Sequence, residues 1–170
     1  MSAELEKLNG TAITQLEQAE AKVDHDEAQF VAFNLEKEEY AVDILAVQEI
    51  IRWTNITRVP KAPSFVKGVI NLRGTVIPVI DSHLRFNLPP QEQTDSSRII
   101  VFKWEDSLVG MTIDYVTEVL VIPSKQIERP HVVNGIDNQY IKGIGKVNGR
   151  LLMILDLVKV LDFKINDSKE

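Results

Sequence analysis

Phe65-Val66-Lys67-Gly68-Val69 and Tyr140-Ile141-Lys142-Gly143-Ile144 are two versions of one pattern, aromatic, aliphatic, lysine, glycine, aliphatic, set 75 residues apart. The residues after each copy keep step with it. Arg73-Gly74 aligns with Asn148-Gly149, and Ile80-Asp81 with Leu155-Asp156, at the same offset of 75. Upstream, Phe33, Val47 and Glu49 align with Phe102, Val116 and Glu118 at an offset of 69, and six extra residues around 126–139 absorb the difference. A pattern that returns at a fixed distance is the mark of a repeated structural unit. The fold therefore turns on what one unit is.

The unit reads as short strands. Phe30-Val31-Ala32-Phe33-Asn34-Leu35 is rich in β-formers, and a polar turn, Glu36-Lys37-Glu38-Glu39, leads to Tyr40-Ala41-Val42. Val76-Ile77-Pro78-Val79-Ile80 predicts another strand, with Pro78 expected to hold it to an edge or a bulge, because proline donates nothing to a ladder. Residues 99–104, 108–113, 116–122 and 151–155 continue the series. Asn148-Gly149 between apolar strands predicts a two-residue hairpin with φ > 0 at both positions, and the duplication puts Arg73-Gly74 at a matching tip. Such a turn is expected to ask nothing of an arginine side chain. Asp81 and Asp156 each end a strand where a carboxylate can cap a short helix. Short strands without long helices between them exclude a parallel α/β sheet and favour barrels or a sandwich. Five or so strands per unit predict a mainly β fold of two similar small barrels packed together.

Composition narrows the function. The chain has 170 residues, 44% apolar and 26% charged, an ordinary globular balance. It has no cysteine, which removes disulfides, thiolate metal sites and a cysteine nucleophile. No apolar run reaches the ~18 residues of a membrane span. The start, Met1-Ser2-Ala3-Glu4, is unlike a signal peptide, so a cytoplasmic location without membrane insertion is expected. Net charge is −6, from 19 basic and 25 acidic residues. Residues 1–28 hold seven acids against two lysines, leaving the remainder nearly neutral. That stretch reads as an acidic extension, helical or disordered. Leu5, Leu8, Ala12, Leu16, Ala19 and Val23 keep helical spacing and Thr14 with Glu17 forms a capping box, whereas Asn9-Gly10 breaks a continuous helix. A nucleic-acid partner needs a dense basic face. None is written here, and with aromatics at 6% an OB-type nucleic-acid-binding barrel, the alternative of a different class, lacks its stacking platform.

Catalytic patterns are equally sparse. His25, His83 and His131 are far apart and lack metal-ligand spacing, so structural roles are expected of them. Gly143-Ile144-Gly145-Lys146-Val147-Asn148-Gly149 brings its third glycine one residue too late for a dinucleotide loop and runs from strand to strand. No nucleophile elbow or P-loop is present. No catalytic residue, cofactor or metal is expected, and turns, glycines and apolar strands point to protein contacts instead.

Asn71-Leu72-Arg73-Gly74-Thr75-Val76-Ile77-Pro78-Val79-Ile80-Asp81, preceded by Phe65-Val66-Lys67-Gly68-Val69, resembles the central signature of the CheW coupling proteins of bacterial chemotaxis. Glu39-Tyr40-Ala41-Val42-Asp43-Ile44, followed by Val47-Gln48-Glu49-Ile50, resembles a second block of that family, and Tyr140 to Gly143 with Leu152 to Asp156 its closing segment. The resemblance covers residues 29–163, between the extension at 1–28 and a tail at 164–170. It implies two intertwined SH3-like five-stranded barrels and a non-enzymatic adaptor. The implied partners are the cytoplasmic tips of transmembrane chemoreceptors and the regulatory domain of the histidine kinase CheA, met in arrays at the membrane. An array controlling surface motility is the alternative within the same fold. Carried over by position, receptor contact falls on Arg73, Val47 and Gly68, and kinase or receptor contact on Glu49 and Ile50. Gly68 and Val47 can equally serve the fold, as a close-approach glycine and a core residue, and Glu49 can be simply solvated. One departure stands out, Ser82-His83 where the family continues Leu-Arg.

Overall fold

The computed structural model describes residues 27–130 and 138–163. The first repeat contributes β1 (Glu27–Leu35), β2 (Glu38–Asp43), β3 (Val47–Arg52), β4 (Val66–Leu72), β5 (Thr75–Ile80) and a one-turn helix, α1 (Ser82–Arg85). The second contributes β6 (Arg98–Trp104), β7 (Ser107–Ile113), β8 (Tyr115–Pro123), β9 (Ile127–Glu128), β10 (Ile141–Val147), β11 (Arg150–Leu155) and α2 (Leu157–Leu161). β1 takes in Glu27 and Ala28, which pair with Pro123 and Ile122. The rest of the acidic extension with its capping box, the C-terminal tail, His25, His131 and the middle of the insertion lie outside the described residues.

The strands form two sheets, ordered β8-β1-β2-β11-β10-β9 and β3-β6-β7-β5-β4. Matched through the duplication, both read third, first, second, fifth, fourth. The first two strands of each, however, come from the opposite repeat. The two barrels are thus intertwined SH3-like barrels, as the family resemblance implied, and they exchange their first hairpins. The chain crosses from one sheet to the other at the 3-10 turn Ile44–Ala46, between β2 and β3, and at Asp114, between β7 and β8. The sheet holding β1 is called the β1 barrel below, and the other the β6 barrel.

The repeat extends to irregularities. Lys67 and Lys142 are extra residues in β4 and β10, and Gln48 and Thr117 are extra residues in β3 and β8. These bulges bend each sheet toward closure. An isolated bridge from Thr57 to Val69 completes closure in the β6 barrel, and β9, pairing with Gly145 and Ile144, does so in the β1 barrel.

Strand periodicity sorts the core. Phe30 and Ala32 face Ala41, Ile122, Leu152 and Ile154 inside the β1 barrel, whereas Val31, Phe33 and Leu35 face the larger core shared by both barrels. Ile99 and Val101 likewise fill the β6 barrel, while Ile100 and Phe102 join the shared core. The first strand of each repeat is therefore buried on both faces, the reason both are unbroken apolar runs rather than alternating ones. Phe86, fully buried, stacks beside Tyr40 at 6.3 Å between ring centres and meets Tyr140 edge-on at 5.4 Å. Across the seam, the Arg85 guanidinium donates to the carbonyls of Val160 and Lys159, both at 3.1 Å, and lies 4.1 Å over the Phe65 ring.

Two local expectations need amending. β5 is an inner strand, between β7 and β4, so Pro78 is on neither an edge nor a bulge. Pairing with β7 begins only at Val79, and the missing N–H of Pro78 falls before that point. Asp81 caps α1 by accepting from the Leu84 amide at 3.3 Å, but Asp156 makes no side-chain cap at α2.

Candidate interaction site

The β4–β5 hairpin turns as its sequence predicts, with φ of 51° at Arg73 and 89° at Gly74, beside 50° and 78° at Asn148 and Gly149. The expectation that the turn is indifferent to its side chain is corrected by that first angle. A left-handed backbone suits asparagine or glycine and penalises arginine. The Asn71 side chain offsets part of this penalty, its Oδ1 accepting from the Gly74 amide at 2.9 Å. Arg73 Nη2 donates to Glu49 Oε1 on β3, so the tip is tied to its own barrel. The carboxylate is largely covered, with a side-chain exposure of 18%, while the guanidinium is 70% exposed. An arginine held at one nitrogen keeps the other donors of its fork for a partner.

The remaining residues singled out by sequence separate from this pair. Val47 and Ile50 are 2% and 3% exposed, and both side chains lie in the shared core. Gly68 packs against the closing segment, where a Cβ would stand 2.2 Å from the Thr57 carbonyl oxygen. It has no side chain to offer a partner. These three position β3 and β4, and through them Glu49 and Arg73.

The second barrel holds a counterpart that sequence reading passed over. Glu118 on β8, the equivalent of Glu49, accepts from Arg150 Nη1 at 2.8 Å, and Glu39 takes Arg150 Nε and Nη2 at 3.0 and 2.7 Å. Two carboxylates thus engage all three guanidinium nitrogens and hold its pKa above the ordinary arginine value, the bonds to Glu39 contributing most. The matched glutamates were visible in the alignment of the repeats. The arginines were not, since Arg150 is in step with Thr75 rather than with Arg73. Arg150→Ala is expected to lower stability by roughly 1 kcal/mol, modest because the cluster is partly exposed. Chemical denaturation checks this, and Arg150→Lys should recover only part of the loss because ammonium cannot form the fork.

Beside the Arg73 tip the surface turns apolar. Val76 is 65% exposed. Thr75 and Val76 border an open, mainly apolar cleft of about 580 Å³ that continues over Pro78, Trp104, Leu161 and Phe163 and also takes in Asp106 and Ser107. It forms where β5 and β7 have not yet begun to pair, and α2, arriving from the other barrel, supplies its far wall. Trp104, Leu161 and Phe163 were not legible as a site, because each reads in sequence as ordinary core.

The Ser82-His83 departure lies elsewhere. His83 is 6% exposed, with Nε2 at 2.8 Å from Asp114 Oδ1 and Nδ1 at 2.7 Å from the Pro89 carbonyl. The bond to Asp114 raises its pKa above the ordinary histidine value against the opposing effect of burial. Burial, with Glu38, Asp114 and Glu36 nearby, pushes the Tyr40 phenol up as well. Among the described residues no three acidic, histidine or cysteine side chains converge as a metal site, and no helix is long and apolar enough to cross a membrane.

Exchanged SH3-like barrels carrying a charged hairpin tip beside an apolar cleft define a scaffold that works through protein contacts. The model of the CheW-like domain matches residues 29–164. The chemotaxis protein CheW of Bacillus subtilis is 39% identical over 139 residues, 81% of this chain and 89% of that protein. The CheW of Klebsiella aerogenes is 35% identical over 134 residues, 78% of this chain and 81% of its own. The crystal structure of the scaffolding protein TtCheW from Thermoanaerobacter tengcongensis superimposes with a TM-score of 0.76 at 35% identity, covering 84% of this chain and 96% of that one. The chain belongs to the CheW family, and with that family it is a chemotaxis adaptor coupling chemoreceptors to the histidine kinase CheA.

Proposed function

We propose that the adaptor bridges the cytoplasmic tip of a receptor and the regulatory domain of CheA within membrane-associated arrays, without catalysing a reaction itself. Receptor contact is placed at the Arg73 tip. The strongest support is the asymmetry of two equivalent hairpins. Arg150 engages Glu39 and Glu118 through all three of its nitrogens, whereas Arg73 has one carboxylate among the described residues and is 70% exposed. The exposed arginine, Val76 and the apolar cleft together fit an amphipathic helix that pairs a charged flank with an apolar stripe. Glu49 orients the arginine, and Val47, Ile50 and Gly68 set the strands beneath it.

A stoichiometric scaffold raises kinase output to a ceiling set by its own concentration. With receptor-bearing membranes and CheA held fixed, added chain should increase autophosphorylation to a plateau. Turnover of nucleotide or ester by the isolated chain, tracking the purified peak, would contradict the non-catalytic part of this reading.

A further inference from the structure

His83 stands at the place where the two barrels are tied together, and its surroundings fix its protonation. Nδ1 faces the Pro89 carbonyl at 2.7 Å and Nε2 faces Asp114 Oδ1 at 2.8 Å. A carbonyl and a carboxylate both only accept, so each contact needs a proton on the ring nitrogen. The geometry therefore calls for the imidazolium. α1, which carries His83, is anchored to the β6 barrel, where the Ser82 amide donates to Thr112 Oγ1 at 3.1 Å. Asp114 is the single residue through which the chain crosses from β7 to β8. Its other oxygen, Oδ2, accepts at 2.8 Å from the Glu36 amide in the β1–β2 turn, which belongs to the β1 barrel. Its own amide donates to the Asn34 carbonyl at 3.2 Å. One imidazolium thereby joins a helix of one barrel, through the crossing residue, to a turn of the other.

We propose that His83 is a proton-dependent clasp between the two barrels, loosening the junction as pH rises. On deprotonation the remaining ring proton stays on Nε2 toward Asp114, the Nδ1 bond to the Pro89 carbonyl is lost, and the cross-barrel contact drops from an ion pair to a neutral-donor hydrogen bond. The groups facing it favour the charge. Asp114 faces it from the crossing and Asp81 from the head of α1. Behind Asp114 lie Glu36 and Glu38 of the β1–β2 hairpin and the Tyr40 phenol. Arg85, on the same helix, is turned to the Val160 and Lys159 carbonyls instead. Because the folded pKa lies above the unfolded value of about 6.5, the clasp contributes fully below that pH. The contribution is lost as pH rises through the folded value. The sign is opposite to that of a paired carboxylate, which weakens in acid.

Imidazole nitrogen spectra of the full chain test this, with His83 assigned as the resonance missing from His83→Gln. The ring should carry both protons on the acid side of the titration, with a midpoint above about 6.5. Over the same titration the exchange protection of the Glu36 amide, corrected for base catalysis, should fall at least ~3-fold. Asp114→Asn should lower the midpoint, and His83→Arg, whose charge does not titrate, should make Glu36 protection independent of pH. A midpoint at or below about 6.5, or Glu36 protection unchanged through the His83 titration, would overturn the proposal. If His83→Arg fails to fold, the wild-type titration decides alone.

Discussion

Gly68→Ala is expected to lower unfolding free energy by about 3 kcal/mol, moving the melting temperature down by roughly 6 to 12 °C for a chain of this size. The added Cβ would stand 2.2 Å from the Thr57 carbonyl oxygen, 2.7 Å from its carbon and 2.8 Å from Ile56 Cγ2. Two of these three obstacles are backbone. Thr57 cannot retreat cheaply, because its amide donates to the Val69 carbonyl and its carbonyl accepts from the Val69 amide, both at 2.8 Å. Relieving the clash means giving up the bridge that closes the β6 barrel. The sister substitution Gly143→Ala meets Ile127 Cγ2 at 2.8 Å and the Glu128 carbonyl oxygen at 3.3 Å, so a side-chain rotation relieves most of it. It should cost clearly less. Denaturant titration of both variants checks the order, and a Gly68→Ala midpoint equal to wild type would show that the closing segment is not held as described.

Arg73→Glu is expected to weaken receptor binding at least ~10-fold, the loss of one charge-assisted contact worth roughly 1.5 to 3 kcal/mol. Stability should change little, by less than about 1 kcal/mol, since the pair it breaks has an exposed partner. Glutamate at 73 would face Glu49, so the hairpin should also swing from β3. Affinity for the regulatory domain of CheA should stay within about twofold, which separates a lost contact from a damaged fold. Isothermal titration against a soluble receptor fragment and against the kinase domain measures both. Unchanged receptor affinity would remove Arg73 from the contact.

Much of the fold was legible because its information is local. Asn148-Gly149 specifies its turn through backbone sterics alone, and the offsets of 75 and 69 carried that turn, the strands and Asp81 across to the other half. The exchange of hairpins was not legible from residues, because it is a choice of neighbour. β2 and β3 are consecutive in sequence yet lie in different sheets, as do β7 and β8, and no residue pattern at Ile44–Ala46 or Asp114 announces the crossing. The site divides the same way. Glu49 and Arg73 could be named singly, but their pairing joins residues 24 apart across a barrel. Pro78 misled because its rule is about a missing donor, and the donor falls where β5 has no β7 partner yet. The cleft stayed hidden because Trp104, Leu161 and Phe163 carry no pattern that distinguishes a wall from a core.

An adaptor must hold two partners at once, and the bridging role stands or falls on that requirement. Sedimentation velocity on the chain mixed with a receptor fragment and the CheA regulatory domain measures it directly. Bridging predicts one ternary species that contains all three, with each partner bound as well in the presence of the other as alone. It further predicts that Arg73→Glu removes the receptor from that species and leaves the kinase domain attached. Two binary species that displace each other, whichever partner is in excess, would mean a single shared surface and contradict the bridging role.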